Sequence, residues 1–173
     1  MRGWPVRLPL LFLLSVGTAT AAAADPAADC NQFADFTRQI RGCTEYIRSG
    51  KTLSENLAVA YTNRAIAYAS RGDRKKALAD FGEAIHLSPQ SPYPYYNRAN
   101  ALYDLQEFHR ALEDYDAAID RGPELALAYY NRGLTHEKLG NREQSIEDFQ
   151  KAVSLDPGSQ LAKKRLDKLG IKP

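Results

Sequence analysis

Tyr-Tyr-Asn-Arg is written twice in this chain, at residues 95–98 and 129–132, and Tyr-Thr-Asn-Arg stands at 61–64; successive copies start 34 residues apart. A period of that length constrains the fold more than composition can, because each period is then one supersecondary unit repeated along the chain. Set in register, three units occupy residues 58–91, 92–125 and 126–159 without a gap. Each opens on residues spaced i, i+4, i+7: Tyr61, Ala65, Tyr68, then Tyr95, Ala99, Leu102, then Tyr129, Gly133, His136. That spacing is one face of a helix. Turn pairs follow at Gly72-Asp73, Gln106-Glu107 and Gly140-Asn141. A second helical pattern comes next: Ala77, Phe81, Ala84, matched by Ala111, Tyr115, Ala118 and by Ser145, Phe149, Ala152. Each unit stops near a proline (Pro89, Pro123, Pro157), which cannot continue the hydrogen-bond ladder. The expected fold is therefore all-α, in helix pairs. One pair cannot bury its apolar stripe alone, and stacked neighbours complete a continuous core.

The pattern resembles the tetratricopeptide repeat family. An aromatic residue at repeat position 4, small residues at 8, 20 and 27, an aromatic at 24 and proline at 32 coincide in three consecutive units, about 102 of the 173 residues. Ser145 at position 20 of the third unit and Gln106 in place of a turn glycine are mild departures; so is arginine at position 7 throughout (Arg64, Arg98, Arg132). The resemblance implies a right-handed α-solenoid whose first helices line a concave groove.

The resemblance also places the groove residues. Asn63, Asn97 and Asn131 recur at position 6, although asparagine is a mediocre residue inside a helix. Such a ladder implies contact with the backbone of an extended peptide, since a carboxamide both donates and accepts. The alternative is that each asparagine bonds within the stack. Positions 2, 5, 9, 12 and 13 are Val59, Thr62, Ile66, Ala69 and Ser70 in the first unit. They are Tyr93, Tyr96, Asn100, Tyr103 and Asp104 in the second, and Leu127, Tyr130, Leu134, Glu137 and Lys138 in the third. The tyrosines suit an interface. Some family members clamp acidic chaperone tails with lysines at positions 5 and 13. Here only Lys138 qualifies, so a mixed apolar and polar peptide fits better. Arg64, Arg98 and Arg132 keep step with Asp80, Asp114 and Asp148, which predicts a recurring structural ion pair.

The ends differ from the repeats. Residues 1–24 carry Arg2 and Arg7, an apolar run over 8–16 and an alanine-rich stretch, the order of a secretory signal. Cleavage is expected after Ala23 or Ala24; an uncleaved anchor or lipidation at Cys30 are the alternatives. Without Arg2 and Arg7 the 23 basic residues become 21, equal to the 21 acidic ones. The mature chain then has no net field favouring nucleic acid or anionic lipid, and no further segment is apolar enough to enter a membrane. In an exported chain, Cys30 and Cys43 are expected to pair, closing a 14-residue loop worth about 3 kcal/mol. Free thiols or half a zinc site are the alternatives.

Residues 25–57 are expected to form an N-terminal half repeat, with a helix from Gln39 to Ile47 and Phe33 and Phe36 pinned onto it. Thr52 and Glu55 read as a capping box. Residues 160–173 are expected to be a capping helix turning Leu161, Leu166 and Leu169 inward. No catalytic, phosphate-binding or metal-ligating motif appears, so neither enzyme activity nor a cofactor is expected. His86 and His109 fall on outer positions and His136 on a half-buried one. The expected role is a monomeric interaction adaptor in the bacterial periplasm or secreted medium, holding a partner peptide or helix. The alternative is an architectural subunit of an envelope assembly that uses its convex face or ends.

Overall fold

The computed structural model describes residues 25–50 and 53–172. The expected signal segment and Thr52 lie outside them. The described residues form helices only: α1 (Pro26–Asn31), α2 (Phe36–Ser49), α3 (Ser54–Ser70), α4 (Arg74–Leu87), α5 (Pro92–Asp104), α6 (Phe108–Arg121), α7 (Ala126–Leu139), α8 (Arg142–Leu155) and α9 (Gln160–Lys168). Consecutive helices pack as pairs, α1 on α2, α3 on α4, α5 on α6 and α7 on α8. First helices also touch one another, α1 to α3, α3 to α5 and α5 to α7, so they form one layer. This is an all-α repeat solenoid.

The turn inside each pair is built identically. After α3 the chain enters the left-handed region at Gly72 (φ 82°), after α5 at Gln106 (φ 62°) and after α7 at Gly140 (φ 79°). In each case the next amide reaches back one turn: Asp73 N–H to Tyr68 O, Glu107 N–H to Leu102 O, Asn141 N–H to His136 O, each at 2.8–2.9 Å. These bonds satisfy carbonyls that the helix end would leave bare.

The repeated small and aromatic residues meet in the core. Ala77, Phe81 and Ala84, Ala111, Tyr115 and Ala118, and Ser145, Phe149 and Ala152 are all buried. Opposite each aromatic stands a small residue of the first helix. Ala65 packs with Phe81 and Ala99 with Tyr115. At Gly133 an added Cβ would lie 2.8 Å from Phe149, so in the third unit even alanine is too large without a shift. Tyr61, Tyr95 and Tyr129 are half-buried. Each lies under an arginine guanidinium, Arg64, Arg121 and Arg132 respectively.

The arginine–aspartate pairs recur as a forked clasp within each unit. Arg64 Nε and Nη2 reach Asp80 at 2.7 and 2.8 Å, and Arg98 reaches Asp114 at 2.7 Å through both nitrogens. Arg132 reaches Asp148 at 3.0 and 2.7 Å. The third nitrogen can link to the preceding unit. Arg64 Nη1 meets Thr44 Oγ1 at 3.1 Å on α2, and Arg132 Nη1 meets Asp116 at 2.6 Å on α6. At the corresponding place for Arg98 the chain has Gly82, which offers no side chain. Planar guanidinium forks suit this double duty.

The N-terminal unit departs from expectation. The strip before α2 contains a helix of its own, α1, and Cys30 on it is bonded to Cys43 on α2. Both cysteines are buried. In α2, Cys43 occupies the place that Tyr115 holds in α6, so the disulfide stands where later units have an aromatic on a small residue. At Gly42 an added Cβ would sit 2.4 Å from Asp29 Cβ, which shows how closely α1 is drawn in. Asp29 is held by Arg38 at 2.6 Å, and this hydrogen bond keeps its carboxyl below the ordinary 3.8 against the effect of burial.

Phe33 and Phe36 are not pinned; they are exposed, at 56% and 36%. The disulfide fixes α1, and the two phenylalanines lie in or beside the connection that follows it, outside the packed face. The first full helix begins at Ser54 with Leu53 as its N-cap and no side-chain cap bond. At the other end Leu166 is buried but Leu161 is 60% exposed, and Ala162 takes the inward place instead.

Candidate functional site: the face of the first helices

Asn63, Asn97 and Asn131 lie on successive members of the first-helix layer, yet their carboxamides are in three different states. Asn63 is buried and donates to Cys30 O (3.3 Å) and Asn31 Oδ1 (3.1 Å), tying α3 to α1. Asn131 donates to Tyr96 Oη (3.1 Å) and Asn100 Oδ1 (2.9 Å), tying α7 to α5. Among the described residues, Asn97 donates only to Tyr93 O of its own helix, at 2.9 Å. Of the three, Asn97 alone leaves its carboxamide untied to a neighbouring unit.

Exposure picks out another set. Val59, Tyr93 and Leu127, each the second residue of its unit, are 53%, 59% and 60% exposed. Leu161, another 34 residues on, is 60% exposed. Reading Leu161 as an inward residue of a cap missed this; extending the 34-residue count past residue 159 would have found it.

Between these residues lie hollows. One, of about 440 Å³, spans α3 and α5, and its lining includes Val59, Ile66, Tyr93 and Pro94 together with Asn63 and Asn97. A second, of about 270 Å³, is lined by Asn100, Tyr103, Asp104, Tyr115, Asn131 and Leu134. Its amide network has a defined polarity. Burial pushes the Tyr115 phenol well above its usual range, so Tyr115 stays protonated and donates to Asn100 Oδ1 at 2.7 Å. Lys138 is exposed and lines an adjoining hollow with Tyr103, Asp104, Gln106 and Phe108. Tyr130 is half-buried, its ring 5.7 Å from Phe149. The expected groove residues thus fall along one layer, with Tyr96 and Tyr130 contributing more to packing than to open surface.

His136 sits behind this face, 4.0 Å from Asp148 and 3.3 Å from Asn141 Nδ2. Burial lowers its affinity for a proton, against the pull of Asp148. Among the described residues no group of three His, Cys, Asp or Glu side chains could hold a metal ion, and no helix is long and apolar enough to cross a membrane.

Comparison with known proteins accords with this geometry. Two family models match, a tetratricopeptide repeat model over residues 96–160 and a TPR repeat model over residues 65–106. No curated protein sequence matches the chain. Solved structures do. MamA 41-end from Desulfovibrio magneticus RS-1 is 26% identical with TM-score 0.72, covering 83% of this chain and 79% of that one. The Arabidopsis OM64 TPR domain is 28% identical with TM-score 0.63, covering 67% and 98%. The first TPR of Spaghetti (RPAP3), solved bound to the HSP90 peptide SRMEEVD, is 23% identical with TM-score 0.66, covering 70% and 96%, a likeness of fold. On its 34-residue units, its helix pairs and these matches, the chain belongs to the tetratricopeptide repeat family.

Proposed function

We propose that this protein is a non-enzymatic adaptor, exported to the periplasm or beyond, that holds a segment of a partner polypeptide along the face of its first helices. One observation carries the reading: Val59, Tyr93, Leu127 and Leu161 are exposed in step with the 34-residue period. Core packing does not require them, and apolar side chains kept in water along one face mark an interaction surface. Tyr93, Tyr103 and the carboxamide of Asn97, which bonds only within its own helix, add the aromatic and hydrogen-bonding character of a polypeptide interface. Position 5 carries Thr62, Tyr96 and Tyr130 rather than lysine, which favours a segment of mixed polarity over an acidic tail. The signal-like residues 1–24 and the Cys30–Cys43 disulfide support an oxidising, extracytoplasmic location.

The test combines V59S, Y93S, L127S and N97A, residues whose side chains the stack does not use between units. The expected result is an unchanged helical circular-dichroism spectrum and loss of the proteins that the wild type crosslinks in envelope extracts. Unchanged capture would overturn the reading. A second reading, an architectural subunit gripped by its end, is favoured by the exposure of Phe33 and Phe36. In that case F33S with F36S abolishes capture and the four-site variant does not.

A further inference from the structure

We propose that the hollow between α5 and α7 takes a positively charged side chain, arginine or lysine, of the polypeptide lying on this face; the proposal rests on the groove reading above. Asp104 is the one acidic residue among the six that line this hollow, none of which is basic, and no cation pairs with it among the described residues. It is also the last residue of α5. Helix carboxyl ends carry partial negative charge and favour cations there. The other units have Ser70 and Lys138 at this place, so of the three units only the second ends its first helix on a carboxylate. Two negative fields therefore coincide at the rim of the hollow.

The remaining lining suits a cation as well. Asn131 uses its amide nitrogen on Tyr96 and Asn100, which leaves its Oδ1 as an acceptor without a donor among the described residues. The Tyr103 ring forms a wall of the kind that attracts guanidinium and ammonium groups. The two cations nearby do not fill the role. Arg165 is held by Glu137 at 3.2 Å, and Lys138 lines the adjoining hollow without pairing with Asp104. A planar guanidinium donates in several directions at once and matches a carboxylate beside an amide oxygen.

The experiment uses the full mature chain and methylguanidinium, acetamide and acetate as probes, followed by NMR at the side-chain amides of Asn100 and Asn131. Methylguanidinium is expected to shift these signals saturably, acetamide and acetate are not, and D104N is expected to weaken the response by about fivefold or more. In a second arm, the peptide acetyl-Ala-Ala-Arg-Ala-Ala-amide is compared with its citrulline counterpart, a neutral isostere. The arginine peptide is expected to bind at least about fivefold tighter, with the difference shrinking in added salt. No shift with methylguanidinium, an equal shift with acetamide, or an unaltered response in D104N would overturn the pocket. If methylguanidinium behaves as expected but the arginine peptide binds no tighter than methylguanidinium, the pocket stands and the groove reading fails.

Discussion

Two residues show how single positions carry consequences beyond their contacts. Gln106 holds φ 62° where Gly72 and Gly140 stand in the sister turns. A side chain in the left-handed region costs about 1 kcal/mol or more, and Gln106 has no compensating side-chain hydrogen bond among the described residues. Q106G is therefore expected to stabilise the protein by roughly 0.5–1 kcal/mol, read as a higher urea midpoint with unchanged slope. His136 acts through its proton. Its folded proton affinity lies below the ordinary value of 6.5, so the unfolded chain binds the proton first as pH falls. Stability is then fully present above pH about 6.5 and declines as pH drops toward the lowered folded value. H136L, which copies Leu102 of the second unit, is expected to flatten the melting temperature as pH falls below about 6.5. A retained slope in that window would assign it to another group.

At the scale of elements, the clasp of arginine and aspartate fixes how the two helices of a unit meet. It also records where a unit is incomplete. Arg64 and Arg132 each reach a side chain of the preceding second helix, Thr44 or Asp116, whereas Gly82 stands at the corresponding place for Arg98. Nothing lies within 4 Å of a Cβ added at Gly82. G82D is expected to recover only a few tenths of the roughly 1 kcal/mol that glycine costs inside α4, and to give Arg98 the partner that Asp116 gives Arg132. A thermal melt raised by more than G82A achieves would establish the new contact. This pairing was readable in the sequence because both partners keep the 34-residue step. Which unit each guanidinium would also bridge was not, since that depends on how one pair stacks on the next.

For the whole molecule, stability in a solenoid is a sum of unit terms and nearest-neighbour terms. The N-terminal unit is the weakest by construction: α1 is six residues long, too short to hold its helix alone. It is kept by the Cys30–Cys43 bond, the Asp29–Arg38 pair and the Asn63 bonds. Reduction is expected to release α1 and lower protection of α2 and the start of α3 in hydrogen exchange, while α5 to α8 stay protected. Uniform loss of protection along the chain would show that the stack unfolds as one unit.

The period, read from the letters alone, determined the helix pairs, their turns, the small-on-aromatic core and the layer to which Asn63, Asn97 and Asn131 belong. It could do so because each of these depends on spacing within 34 residues, and the spacing is written three times. Tertiary structure decided the rest: that Asn63 and Asn131 are engaged by neighbouring units while Asn97 is not, that Leu161 faces water as Val59, Tyr93 and Leu127 do, and that Phe33 and Phe36 stay outside the core. Those outcomes turn on which side chains meet across units and at the ends of the stack, where the repeat stops and local spacing no longer says what lies opposite.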